Sequence, residues 1–240
     1  ELRANPTVRI SELARAFGVT TETVRRDVDA LSEEGLVSRT YGGAAVTALA
    51  HEPSLDERTA ILVEERTRIA NRATEFVKPG DVLMVDSGAT TAHFVRRLAV
   101  EGKDVTLITN SIGHAAVAGT NPAIKVILCP GYYVARERGT YGPEVAEFLR
   151  RYRANHAFIG AGGMTLEGPN DVSAELCWVK RAMIERAGEC TLLVDHGKFG
   201  NLGLEIICPL ERVTRVVTDR PPPPEHQPIF LKGRPELVLG

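Results

Sequence analysis

Between Ser11 and Ala44 the sequence SELARAFGVTTETVRRDVDALSEEGLVSRTYGGA is interrupted by glycine at three places, which leaves room only for short elements. Ser11 suits the cap of a helix over Glu12 to Phe17, with Leu13, Ala14 and Phe17 as its apolar stripe. Gly18 follows, where a left-handed residue ends a helix without steric cost. Val19 anchors the turn in the core in this reading. Thr20 caps a second helix from Thr21 to about Glu34, on which Val24, Val28 and Leu31 share the buried side. Thr21, Glu22, Arg25 and Arg26 fall on the exposed side, and Gly35 closes the helix. Val37 to Tyr41 reads as a strand, Gly42-Gly43 as a turn and Ala44 to Val46 as the returning strand.

Helix, tight turn, helix and a two-stranded wing is the order of a winged helix-turn-helix, whose second helix enters the major groove of duplex DNA. Arginine offers paired donors to guanine or phosphate, and threonine hydroxyls and helix N-terminal amides suit phosphate oxygens. The candidate DNA contacts are Thr20, Thr21, Thr23, Arg25, Arg26, Arg39, Tyr41 and Gly42. The rival reading is a helical protein-interaction module with a solvated arginine pair. The formal net charge of -2 means that any DNA binding rests on local placement of charge.

A length of 240 residues and a hydrophobic fraction of 43% suffice for one large core and a small satellite domain. We divide the chain into a winged helix-turn-helix at 1–50, a linker helix at 51–77 and an α/β domain at 78–240. No apolar run is long enough to cross a bilayer, and no charged-then-apolar leader opens the sequence. The expectation is a cytoplasmic protein without a membrane partner. Cys129, Cys177, Cys190 and Cys208 are scattered and form no C-x-x-C pair, so they read as buried thiols. No metal site, cofactor or catalytic residue is expected.

Ser54 to Phe76 reads as one long helix coupling the two domains, ended by Pro79-Gly80. Beyond it, apolar runs at 82–85, 105–109, 125–128, 157–159, 191–194, 215–218 and 236–239 alternate with helical patterns. That alternation predicts a mainly parallel sheet with helices on both faces. Pro221 to Pro224 can be neither helix nor sheet interior.

Ligands of open α/β sheets sit beyond the carboxyl ends of the strands. Five polar loops fall there. Asp86-Ser87-Gly88-Ala89-Thr90-Thr91 offers a carboxylate, hydroxyls and glycine-permitted amides at a helix start, suited to a phosphate and a sugar hydroxyl. The others carry Asn110 and Ser111, Gly131, Gly160, and Asp195 with Lys198. Lys198 supplies a mobile positive charge, and Asp195 orients it or accepts from a hydroxyl. These patterns are neither a Walker loop nor a dinucleotide fingerprint.

Leu13-Ala14, Val19-Thr20, Thr23-Val24-Arg25-Arg26-Asp27 and Arg39-Thr40-Tyr41-Gly42-Gly43-Ala44 closely resemble the reader of DeoR-type bacterial repressors. DSGATT, TNS, AFIGAGG, VKRAMIERA and LLVDHGKFG, in that order, resemble the sensor of the same family. The family usually carries a full helix before the reader motif, where this sequence has Glu1 to Asn5. The resemblance implies a sensor similar in fold to ribose-5-phosphate isomerase and the coenzyme A transferases. It implies duplex operator DNA and a phosphorylated sugar as partners, and a homo-oligomer. It places phosphate or hydroxyl contacts at Ser87, Gly88, Thr90 and Thr91, with Asp86, Asn110, Lys180 and Lys198 as polar partners.

Trp178, beside Lys180, is expected to pack its helix on the core. Two departures from the family pattern stand out. Tyr132-Tyr133 follows Gly131 where family sensors have Gly-Gly, and these rings either reshape the pocket or pack elsewhere. The isomerases' acidic Asp-Gly-Ala-Asp loop is here Gly160-Ala161-Gly162-Gly163, without a carboxylate. Proton transfer at a sugar carbon needs a base within reach, so this loop speaks against the alternative of an isomerase-like or transferase-like enzyme. Glu167, Asp171 and Glu175 are the nearest acids in sequence.

Overall fold

In a computed structural model of the chain, residues 7–33, 37–40, 43–46, 53–232 and 235–240 are described, with backbone only at 7, 8, 33, 37–40, 43–46 and 232. The chain forms two compact units, Glu1–Pro53 and Ser54–Gly240.

In the first unit, β1 (Thr7–Arg9) leads straight into α1 (Ile10–Phe17), and α2 (Thr21–Glu33) follows Gly18. Gly18 has φ 64°, the left-handed conformation that glycine adopts at no steric cost. The Thr20 hydroxyl accepts from the Thr23 N–H at 3.2 Å and caps α2, a contact worth about 1 kcal/mol. Ser11 is not the cap of α1: the helix starts two residues earlier than expected, at Ile10, with Arg9 at its cap. Leu13, Ala14, Val24 and Val28 form the small core, with Leu31 against it. Phe17 and Val19 are exposed within this unit rather than buried as their apolar character suggested. The wing is β2 (Val37–Thr40) paired antiparallel with β3 (Gly43–Val46), and β1 adds a third strand that the sequence pattern did not reveal.

The second unit opens with α3 (Leu55–Thr59) and α4 (Val63–Thr74). These replace the single long helix expected from Ser54 to Phe76. Leu62 takes φ 53° and breaks the run, a backbone state that a non-glycine residue seldom occupies. The two helices belong to the body of the unit. Ile69, Ala70 and Ala73 of α4 are sealed in its main core.

Seven parallel strands make the sheet. They are β4 (Val82–Val85), β5 (Val105–Thr109), β6 (Ile124–Leu128), β9 (Ala154–Ile159), β12 (Ala187–Leu193), β14 (Arg215–Thr218) and β15 (Glu236–Leu239). Their order is β15-β14-β12-β9-β4-β5-β6. Alternate residues serve opposite faces. Leu83, Val85 and Leu107 meet α4 and the helix α5 (Ala89–Glu101). Met84, Ile108 and Ala157 meet α7 (Pro143–Arg150) and α8 (Ala174–Arg186). Both faces are covered, which is why these strands read as unbroken apolar runs. Helix α6 (Ile112–Ala118) lies beside α5. The remaining pieces are a hairpin, β7 (Tyr132–Val134) with β8 (Gly139–Tyr141), and a small sheet of β10 (Gly163–Met164), β11 (Pro169–Asp171) and β13 (Glu205–Ile206).

All four cysteines are buried. Trp178 corrects the expectation. It stands 55% exposed on the outer face of α8, while Cys177, Val179 and Met183 take the inward positions. No described helix is long and apolar enough to cross a membrane.

Candidate functional site

In the first unit the exposed face of α2 carries Thr21, Arg25 and Arg26. Arg25 pairs loosely with Glu22 at 3.4 Å, and both side chains are largely in solvent, so little is lost in freeing it. Thr20 and Thr23 join hydroxyls at 2.9 Å and serve the helix cap. Arg39 lies in β2 opposite Ala44, placed by its backbone alone. Tyr41 and Gly42 lie outside the described residues.

In the second unit the polar loops gather at the carboxyl edge of the sheet. Asp86, at the end of β4, is buried, and its Oδ1 accepts the Gly160 N–H at 3.1 Å across to the loop after β9. Lys180 reaches in from α8. Its Nζ lies 3.2 Å from Asp86 Oδ2 and donates to Asp171 Oδ2. One ammonium thus serves two carboxylates, all three side chains at most 6% exposed. Burial alone lowers the Lys180 pKa, but Asp171 and Asp86 outweigh it and hold the ammonium above the usual lysine range. Burial pushes the Asp86 carboxyl above its ordinary value, with Lys180 and the Gly160 N–H pulling back.

Next to this cluster, the Ser87 N–H donates to Asn110 Oδ1 at 3.1 Å, and Ser87 Oγ meets the Tyr141 hydroxyl at 2.5 Å. Asn110 Nδ2 donates to the Thr140 carbonyl at 3.1 Å. Gly88 caps α5, and a Cβ there would come 2.9 Å from Thr91 Oγ1. Thr90 is buried in the first turn. Ser111 caps α6, its Oγ accepting the His114 N–H at 3.2 Å. The His114 ring faces the Gly88 backbone, and neither ring nitrogen makes a direct hydrogen bond of good geometry. Lys198 is half-buried on the turn that follows β12.

Three of the expected ligand contacts have other tasks. The Thr91 hydroxyl donates to the carbonyls of Asp86 and Gly88, both at 3.0 Å, and pins the loop. Gly131 has φ 138°, and a Cβ there would fall 2.4 Å from the Tyr141 carbonyl, so it permits a close backbone approach. Asp195 is engaged at both carboxylate oxygens. Its Oδ2 takes the Arg66 guanidinium at 3.0 and 3.2 Å, and its Oδ1 caps the turn through the Gly197 N–H at 3.2 Å.

Sequence reading missed Arg66, Thr140 and Tyr141, since each joins the site from a distant segment without a local motif. It noted Asp171 only as a nearby acid. Of the tyrosines it singled out, Tyr132 donates to Glu175 at 2.5 Å and Tyr133 is exposed, so neither closes the site.

The arrangement has donors for an anion in the start of α5, the Ser87 hydroxyl and Lys198. It has acceptors for sugar hydroxyls in Asp86, Asp171 and Asn110. Among the described residues no cluster of His, Cys, Asp or Glu is built to hold a metal.

Two family models match the chain: a DeoR-like helix-turn-helix domain over residues 1–48 and a DeoR C terminal sensor domain over residues 62–220. Among curated proteins the chain is 33% identical to the HTH-type transcriptional regulator IolR of Bacillus subtilis, over 90% of this chain and 86% of that protein. It is 30% identical to the glycerol-3-phosphate regulon repressor of Escherichia coli, over 97% of this chain and 92% of that protein. Among solved structures, a D-ribose-5-phosphate isomerase in complex with phospho-erythronic acid aligns with TM-score 0.44 and 18% identity, over 57% of this chain and 54% of that one.

Proposed function

The chain belongs to the DeoR family of DNA-binding transcription regulators, and from that premise we propose a repressor of carbohydrate-metabolism genes whose grip on its operator is set by a phosphorylated sugar. Arg25 and Arg26 read base edges or phosphates, with Thr21 and the start of α2 on the DNA backbone and Arg39, Tyr41 and Gly42 supplying the wing. One good bidentate base contact discriminates by only about 1–3 kcal/mol, so paired readers on a homo-oligomer are needed. At the sensor, Ser87, Gly88, Thr90, Ser111 and Lys198 take the phosphate, while Asp86, Asn110 and the Lys180-held Asp171 take sugar hydroxyls. Coupling between the two sites is reciprocal: operator DNA weakens effector binding by the factor with which effector weakens operator binding.

The observation that carries the effector reading is the convergence of Asp86, Ser87, Asn110 and Lys180, all buried, at the carboxyl edge of the sheet. Burying polar groups is costly, and a ligand that hydrogen-bonds to them there offsets part of that cost. A relative named for the glycerol-3-phosphate regulon supports a phosphorylated polyol or sugar as the class.

The deciding experiment titrates operator DNA, selected with the full-length chain, at fixed salt with and without sugar phosphates. Arg25→Ala and Arg26→Ala each cost about 1–3 kcal/mol of operator binding. Wild-type affinity in both removes α2 as the recognition helix, and indifference to every phosphorylated sugar removes the effector class.

A second reading, a sugar-phosphate isomerase, draws on the acid nearest the 160–163 loop. A Cβ on Gly162 would lie 3.2 Å from Asp171 Oδ1. That oxygen accepts the Val172 N–H at 2.9 Å and the other accepts from Lys180, so neither stands ready as a base. Turnover of pentose or hexose phosphates would favour the enzyme instead.

A further inference from the structure

The hairpin β7–β8 touches the candidate site at its base and helix α3 at its tip. At the base, Tyr141 holds Ser87, and Thr140 holds Asn110 through its N–H at 2.7 Å and by the return bond from Asn110 Nδ2 at 3.1 Å. Gly139 bridges to Ser111, so close to Ser87 that a Cβ would stand 3.1 Å from Ser87 Oγ. The Ile112 N–H, at the start of α6, donates to the Arg138 carbonyl at 3.0 Å.

At the tip three further bonds reach α3. The Leu55 N–H donates to the Arg136 carbonyl at 2.9 Å, Arg58 pairs with Glu137, and Arg138 pairs with Asp56 at 2.5 Å. The Arg58–Glu137 pair is shielded, with side chains 12% and 10% exposed. From the other side Arg66 joins the Arg58 carbonyl to Asp195, which caps the turn that carries Lys198. Helix α3 is therefore tied to both walls of the site. It is also the first element after the unit that ends at Pro53.

A second observation concerns the backbone on either side of this contact. The only non-glycine residues in the left-handed backbone region, among those described, are Arg138 at φ 47° and Leu62 at φ 53°. One sits in the hairpin tip that grips α3, and the other is the N-cap of α4, three residues beyond the end of α3. Such conformations persist only where surrounding contacts enforce them, and they gather at switch segments.

We propose that the β7–β8 hairpin is a latch that relays occupancy of the carboxyl-edge site to α3, and through α3 to the segment leading to the reader, with Arg58–Glu137 as its clasp. The relay rests on the effector site proposed above. An anion that accepts from the Ser87 hydroxyl aligns a chain in which Tyr141 donates to Ser87 and Ser87 donates to the anion. Hydrogen bonds in such a chain polarise and strengthen one another. Tightening the base of the hairpin then tightens its hold on α3.

The test is hydrogen exchange on the full-length chain, with ribose 5-phosphate as the probe of the site and α8 amides as the internal control. Tyr141→Phe keeps the ring and removes the hydroxyl, and Glu137→Gln opens the clasp. Each speeds exchange of amides 56–60 by about tenfold while α8 keeps its protection. Arg58→Glu combined with Glu137→Arg brings the rate back. Operator affinity of Glu137→Gln departs from wild type by about fivefold or more. Wild-type exchange of α3 in Tyr141→Phe overturns the latch. Accelerated exchange with unaltered operator affinity in Glu137→Gln also overturns it, since the hairpin then holds α3 without signalling. Should ribose 5-phosphate and its pentose and hexose analogues fail to slow α3 in the wild type while both variants behave as stated, the effector reading falls and the mechanical link stands.

Discussion

Both edges of the seven-stranded sheet carry charged side chains and use them differently. At the amino edge, Lys78, Asp81, His156, Glu189 and Arg215 line a cleft of about 500 Å3. There the charges settle among themselves. His156 lies 3.5 Å from Asp81 and 3.4 Å from Glu189, Arg215 takes Glu189 at 2.6 Å, and its guanidinium lies 4.3 Å from the centre of the Phe76 ring. The Arg215 hydrogen bond holds the Glu189 carboxyl below its usual range. Glu189 and Glu236 are also open to water, at 42% and 57%. At the carboxyl edge one lysine is shared by two sealed carboxylates. Buried polar atoms without a hydrogen bond occur at both edges, His156 Nδ1 and Arg215 Nε at the one and both His114 ring nitrogens and Thr218 Oγ1 at the other. What separates the two edges is burial: the ion pairs of the amino edge reach water through Glu189 and Glu236, while the carboxyl edge holds its lysine and both carboxylates sealed.

Four measurements would break or sharpen this contrast. Lys180→Met leaves Asp86 and Asp171 buried without their cation, and stability in urea falls by about 3–5 kcal/mol. Adding Asp171→Asn recovers part of the loss, and a variant as stable as wild type would mean the cluster is solvated.

A pH series addresses His114. Burial holds its pKa down to about 4, against an ordinary 6.5 in the unfolded chain. Between those values the unfolded chain binds the extra proton. Stability is whole above about pH 6.5 and is lost as pH drops toward 4, by on the order of 3 kcal/mol. His114→Phe flattens that limb, and equal slopes for both proteins would contradict a buried neutral ring.

Smaller still is the expected change with Lys198→Ala. A sugar phosphate at about 100 times its dissociation constant adds roughly 2.7 kcal/mol to the wild type. The variant shows no such gain in a thermal-shift assay, and a gain equal to the wild type's excludes Lys198 as the phosphate anchor.

Glu189→Gln, at the amino edge, changes stability by about 1 kcal/mol, since Glu189 is open to water and Arg215 keeps Glu236 and the Phe76 ring, and it leaves the sugar-phosphate response intact. A loss matching that of Lys180→Met would erase the distinction between the edges.

Much of the fold was legible in the sequence. Strands buried on both faces announce themselves as apolar runs, so 82–85, 105–109, 215–218 and 236–239 fall where expected. Thr20 and Gly18 fixed the turn of the reader by local chemistry. What stayed hidden depends on contacts between distant segments. The break at Leu62 interrupts a sequence that is helical in pattern on both sides. It is enforced from elsewhere, by His93 on the Thr59 carbonyl and by Asp195 on Arg66. The hairpin YYVARERGTY lacks the alternation that marks a half-buried ribbon, so Tyr141 and Thr140 could not be placed beside Ser87 and Asn110. In the site itself the glycine and hydroxyl loops were readable, but the partners of Asp195 and Lys180 were not.

The four cysteines bear on how the molecule can be studied. Burial pushes the thiol of Cys129 up to about 12 and those of Cys177 and Cys208 up to about 11. At neutral pH almost none is thiolate, the form that reacts with maleimides or peroxide. A single cysteine introduced on the open face of α2 or at the hairpin tip would take a fluorophore or spin label against a silent background. Movements of either part could then be followed without first stripping the native sulfurs from the chain.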